Sequence, residues 1–271
     1  TIKGDAAAPS KPNPASSGTA ITTGSNGTLI NQGTISSETA GRTLTVNPTT
    51  TTNTGTLAAK NGAILTLGGA WNNSAGTISL DANANSTVNL GGSFTTAQIG
   101  TLSRGAGGLN GRVNITGTLT NTGDTLLLDD STGSLNLDGG SIVGGIIDTA
   151  AGSASKLNIT ASSTLSGGVT LASNLDVGSP SSNITLTVNG GLTLDHAVGE
   201  ALTVFNQNNG FNTTNGLAFN TGTLGGTGTV VLTPGATMGL RLFVINNQTL
   251  TIGAGVTVKT NSVAANSSTA I

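Results

Sequence analysis

The sequence predicts an all-β solenoid of stacked parallel coils, about 22 residues per coil with almost no helix, and three observations predict it. Apolar/polar/apolar triplets recur at a near-fixed interval. In Leu44-Thr45-Val46, Leu65-Thr66-Leu67, Val88-Asn89-Leu90, Val113-Asn114-Ile115, Leu135-Asn136-Leu137 and Leu157-Asn158-Ile159 the first positions step by 21, 23, 25, 22 and 22. A second set, Gly33-Thr34-Ile35, Gly55-Thr56-Leu57, Gly76-Thr77-Ile78 and Gly100-Thr101-Leu102, steps by 22, 21 and 24 and falls half a period ahead of the first. Glycine, at 42 of 271 residues, joins abundant Asn, Thr and Ser in suiting tight turns and opposing helix. A fixed period of this size marks a repeat architecture, and the alternation makes its repeating unit a pair of strands.

Taken in order, residues 1–26 read as an arm or linker, because Pro9, Pro12 and Pro14 lack the amide a sheet ladder needs. Within that arm, Thr19-Ala20-Ile21-Thr22 has the pattern of an edge strand for a neighbouring subunit. Residues 27–194 carry the regular repeat. Side chains alternate across a strand, so Leu44, Val46, Leu65, Leu67, Val88, Leu90, Val113, Ile115, Leu135, Leu137, Leu157 and Ile159 are expected to point inward as aliphatic ladders. Between them, Thr45, Thr66, Asn89, Asn114, Asn136 and Asn158 form an outward polar file, whose amides can hydrogen-bond from coil to coil. Residues 195–271 read as a less regular continuation with a wider interior, holding Phe205, Phe211, Phe219 and Phe243. Leu240-Arg241-Leu242-Phe243-Val244-Ile245 is apolar on both faces, so its outer side calls for cover.

Composition excludes several classes of partner. Charged residues are 7% and the net charge is -2, which leaves no electrostatic footprint for nucleic acid or for an anionic membrane. No stretch reaches the roughly 18 apolar residues of a membrane span. Cysteine is absent, so disulfides and thiolate metal sites are excluded. The first residue is Thr and no basic-then-apolar leader is present, which suggests a mature exported chain or a trimmed fragment.

Gly225-Gly226-Thr227-Gly228-Thr229-Val230-Val231-Leu232, Asn121-Thr122-Gly123 after Gly117-Thr118-Leu119, and the Asn/Thr/Gly-rich triplets resemble the passenger regions of bacterial autotransporters and filamentous-haemagglutinin-like adhesins. The resemblance covers about residues 27–258 and implies a right-handed parallel β-helix. Its motifs are structural and bring no catalytic or receptor-binding residue with them.

Candidate chemistry is sparse. Asp124, Asp129, Asp130, Asp138 and Asp148 could stack on neighbouring coils and hold Ca²⁺ through oxygen, but Asp is equally a turn residue, and that is the reading adopted. Asp195, His196 and Glu200 could serve acid/base chemistry, although no nucleophile or metal partner is recognisable beside them, so a solvated loop is expected. Trp71 is expected at a coil corner rather than as a sugar platform. Asn-x-Ser/Thr triplets such as Asn72, Asn85 and Asn212 follow from composition alone. Arg112, Ser134, Asp138 and Lys156 interrupt the outward columns and argue against a flat ice-binding Thr array.

The expectation is therefore a secreted structural protein of the cell surface or extracellular space, an adhesin stalk or filament subunit. It needs no cofactor or metal and performs no catalysis. Its expected partners are further copies of itself, joined end to end, and a glycan of a host surface or matrix. The alternative is a carbohydrate-binding or carbohydrate-active protein working through residues 195–220.

Overall fold

The computed structural model describes residues 2–3, 19–82, 85–104, 111–178, 183–205, 215–233, 240–245, 247–261 and 269–270. They form an all-β parallel solenoid of about 9 turns, with coils about 23 residues apart and 2% helix. The chain comprises two compact units, Thr1–Leu119 with Asp129–Leu135, and Thr120–Leu128 with Asn136–Ile271.

In the first unit each coil contributes a strand to three parallel sheets in turn. The triplets build the first sheet, in which Thr19–Thr22, Thr43–Asn47, Ile64–Leu67, Thr87–Leu90 and Arg112–Ile115 pair in unbroken register. Thr28–Asn31, Thr50–Asn53, Ala70–Asn72 and Ser93–Thr95 build the second. The Gly-Thr-Ile/Leu set builds the third, from Thr34–Ser37, Thr56–Ala59, Thr77–Leu80 and Thr101–Arg104, with Ile2–Lys3 on its edge. The repeat thus holds three strands where a pair was expected. The extra strand is short, and its buried positions go to a lone aromatic, Trp71 or Phe94, or to polar side chains such as Asn31, Thr51 and Asn53, so it lacks the aliphatic triplet that marks the other two. Thr19–Thr22, read as an edge strand for a neighbour, pairs with the chain's own Thr43–Asn47.

The helix is a single turn, Thr96–Ile99. Thr95 caps it by accepting from the Gln98 amide while the Gln98 side chain accepts from the Thr95 amide, a reciprocal pair that satisfies two otherwise orphaned donors.

The second unit repeats the three-sheet plan. Leu157–Ile159, Leu175–Val177 and Leu202–Phe205 lie in one sheet. Ser141–Val143, Ser163–Ser166 and Thr185–Asn189 lie in another. Thr125–Leu128, Ile146–Thr149, Val169–Leu171 and Leu192–Asp195 form the third. The 19-residue strand Asn215–Thr233 then runs along all three sheets, pairing with Thr185–Asn189, Leu192–Asp195 and Leu202–Phe205 in succession. Gly222 and Gly226 let it turn, with φ of 118° and 81°, values L side chains rarely adopt. Phe243 on Leu240–Val244 lies across this strand at Gly216, where a Cβ would fall 2.8 Å from the ring, while Val244 remains 38% exposed. Phe211 lies outside the described residues.

All twelve triplet positions named above are buried, none more than 2% exposed. Each such burial is worth about 1.5–3 kcal/mol. A second interior column is polar. Asn31, Asn53 and Asn73 are buried at the corner between the second and third sheets of the first unit. Asn31 Nδ2 donates to Asn53 Oδ1 and Asn53 Nδ2 to Asn73 Oδ1, each at 2.5 Å. Asn31 and Asn53 also donate to the carbonyls of Gly33 and Gly55 two residues on, and Asn73 to that of Ile99. Amides that would be costly if orphaned inside a coil are thereby satisfied up the stack. In the second unit Asn121 donates to the carbonyls of Gly144 and Ile146.

Candidate functional site

Thr45, Thr66, Asn89, Asn114, Asn136 and Asn158 are all half-buried on the outer face of the triplet strands. In the first unit Asn89 Nδ2 donates to Thr66 Oγ1 at 3.1 Å, and Asn114 Nδ2 to Asn89 Oδ1 at 2.9 Å. Thr45 stands in register with Thr66. In the second unit Asn158 Nδ2 donates to Asn136 Oδ1 at 3.2 Å, and Asp176 and Thr203 follow Asn158 in register. The file therefore bonds along itself, and much of its hydrogen-bonding capacity is used within the fold.

The other candidates are also engaged in the fold. Among the described residues no three acidic or His side chains gather for a metal. Asp129 closes a turn: hydrogen bonds from the Thr132 amide and from Ser131 hold its carboxyl down to about 2. Asp138 accepts from Thr160, and Asp148 from the Thr149 amide. Trp71 is buried, stacked on Phe94 with ring centroids 4.4 Å apart, and its Nε1 donates to the Gly91 carbonyl at 2.8 Å. That satisfies the indole and removes it as a sugar platform.

His196 occupies a niche made by a glycine. A Cβ on Gly228, one coil further on, would fall 2.8 Å from His196 Nδ1 and 3.0 Å from Cγ. Both ring nitrogens are buried without a hydrogen-bond partner. Burial pushes the imidazole below its ordinary value, against the opposite pull of the Glu200 and Asp195 carboxylates. Burial thus favours the neutral ring over the imidazolium. Because the folded pKa is depressed, the unfolded chain takes up a proton first. Stability is then expected to hold above the ordinary His range and to fall as pH drops through it. The melting temperature should decline between about pH 7.5 and 5.5, and His196→Ala should flatten that slope. An unchanged slope would show that the ring titrates freely in the folded chain.

The second unit also forms a cleft, and corner length explains it. Between the third sheet and the sheet of Leu157–Ile159, successive coils turn through residues 150–156, then through Ala172, Ser173 and Asn174 alone, then through 196–201. A short corner between two long ones leaves a notch of about 260 Å³, lined by Thr149–Lys156, Ser173, Asn174 and Glu200. The longer corners are braced. Thr149 Oγ1 donates to the Ser155 carbonyl, the Ser153 amide donates to the Ala150 carbonyl, and Gly152 turns with φ of 83°. Glu200 accepts from the Ala197 amide, and Asn174 Oδ1 from the Ala201 amide. Lys156 Nζ lies 2.7 Å from Asp176 Oδ2. Ser173 is buried in the floor and its hydroxyl has no partner.

Of this cleft, sequence reasoning singled out Glu200 as a candidate and Lys156 only as an interruption of the outward columns. Leu175-Asp176-Val177 comes sooner after Leu157-Asn158-Ile159 than any earlier triplet follows its predecessor, a shortening that marks the tight corner. No protein-family model matches the chain, and neither do curated proteins or solved structures.

Proposed function

We propose that the chain is a secreted structural protein of the cell surface or extracellular space, an adhesin stalk or filament subunit whose copies associate end to end. One observation carries this reading: coil after coil, inward positions go to aliphatic ladders and outward ones to Thr and Asn columns that bond to one another, so the repeat serves its own cohesion. The resemblance to autotransporter passengers and haemagglutinin-like adhesins supports the same assignment.

The coil that holds Leu240–Val244, Leu250–Ile252 and Val256–Thr260 supports association, although Thr269–Ala270 already pairs with its first strand. Ile252 is 42% exposed and Leu250, Val256 and Val258 are half-buried, whereas Val230 and Leu232, one coil earlier, are fully buried. A second copy stacked there would bury these side chains and pair the edge of Val256–Thr260 that no described strand covers, with little charge repulsion to oppose it. Negative-stain microscopy and sedimentation of the full chain test the idea. The expected result is concentration-dependent end-to-end assembly, abolished in the Ile252→Glu/Val258→Glu double variant with the fold retained. A chain that stays monomeric at high concentration, or assembly unaffected by the double variant, overturns it.

A further inference from the structure

We propose that the cleft between the corners 150–156 and 196–201 binds a single neutral sugar unit of a glycan. Size points to a small ligand, because about 260 Å³ lies below the range of about 300–1,000 Å³ that encloses drug-sized molecules. Its lining points to a polar, hydroxyl-bearing one. No side chain around it is a large apolar group, and those present offer hydroxyls, an amide, an ammonium and a carboxylate. A sugar hydroxyl both donates and accepts, and such a mixed set meets both needs.

Charge selects a neutral ligand. The Lys156 ammonium is already paired with Asp176, so an anionic ligand would compete with an established partner, and the Glu200 carboxylate would repel it. A cationic ligand finds one carboxylate that already accepts the Ala197 amide. At the floor, Ser173 is the second, independent indication. Its hydroxyl is buried without a partner and, among the described side chains left so, Ser173 alone lines the cleft. A buried hydroxyl left unpaired is unfavourable, and a ligand hydroxyl seated above it relieves that cost after a rotation about Cα–Cβ.

The test presents the full chain to an array of immobilised neutral and acidic oligosaccharides, followed by calorimetric titration of the strongest neutral binder. Hexose- or N-acetylhexosamine-containing glycans are expected to bind. Ala151→Trp, which fills the notch from an exposed position, and Glu200→Ala are each expected to raise Kd at least tenfold with the melting temperature unchanged. If Glu200→Ala disturbs its own turn, Ala151→Trp alone decides. Binding to no glycan, binding confined to acidic glycans, or affinity within twofold of the native chain in Ala151→Trp overturns the proposal. End-to-end assembly in Ala151→Trp should match the native chain, so this test and that of the structural role fail separately.

Discussion

Leu137→Asp is expected to unfold the coil that holds it, while Asn136→Asp, one residue away, leaves the protein close to native. Leu137 is 0% exposed and sits in an aliphatic ladder, where a carboxylate would find neither water nor a cation. The loss combines the transfer and cavity cost of removing a leucine with an uncompensated buried charge, together roughly 4–5 kcal/mol or more. Asn136 is half-buried on the outer face and accepts from Asn158 Nδ2, a bond that a carboxylate oxygen also accepts. Its replacement should cost no more than about 1 kcal/mol. Urea unfolding of the two variants reads the difference directly. Equal losses would mean that the inward and outward faces are assigned the wrong way round.

Gly92→Ala is the second large effect expected, and Gly41→Ala is its control. Both glycines have positive φ, 63° and 67°, so alanine at either carries the left-handed backbone cost of about 1–2 kcal/mol. Only Gly92 lies against the coil below: a Cβ there would fall 1.9 Å from the Gly69 carbonyl oxygen, whereas nothing lies within 4 Å of one on Gly41. Backbone cannot yield as a flexible side chain can, so displacing it adds about 1–3 kcal/mol. The total for Gly92→Ala is then about 2–5 kcal/mol, against about 1–2 for the control. Similar melting temperatures for the two would show that neighbouring coils are not packed as closely as Gly69 and Gly92 are.

These two positions also show what the amino-acid sequence made legible. Leu137 declares itself, because a leucine two residues from another across Asn136 can only be inward if its triplet partners are. Gly92 does not, since its role depends on the carbonyl one coil away and not on its neighbours in sequence. The interior asparagines were hidden for a related reason. Asn31, Asn53 and Asn73 look like turn residues, and only their position two or three residues ahead of Gly33, Gly55 and Gly76 hints at a column. A strand such as Ala70–Asn72, with one inward side chain, gives alternation nothing to register. The cleft depends on the difference between corner lengths in adjacent coils, a comparison that needs the strands to be aligned first. Asp176 at the centre of Leu175-Asp176-Val177 concealed that alignment, since the file had run through Thr and Asn until then.

Strand pairing offset by one coil has a kinetic meaning. Every described pairing joins residues about one coil apart in sequence, from the shortest step, Leu157 to Leu175, to the longest, Ile2 to Ile35. Each step of coil addition therefore closes a loop of similar length at similar entropic cost, however long the chain already folded. Once a first coil exists, the next finds a ready template, so within each unit the fold can grow directionally, as a zipper does. Amide exchange should then be slowest in the interior coils of a unit and fastest at its outermost strands. A chain emerging gradually through a pore would meet that requirement at every stage of its exit.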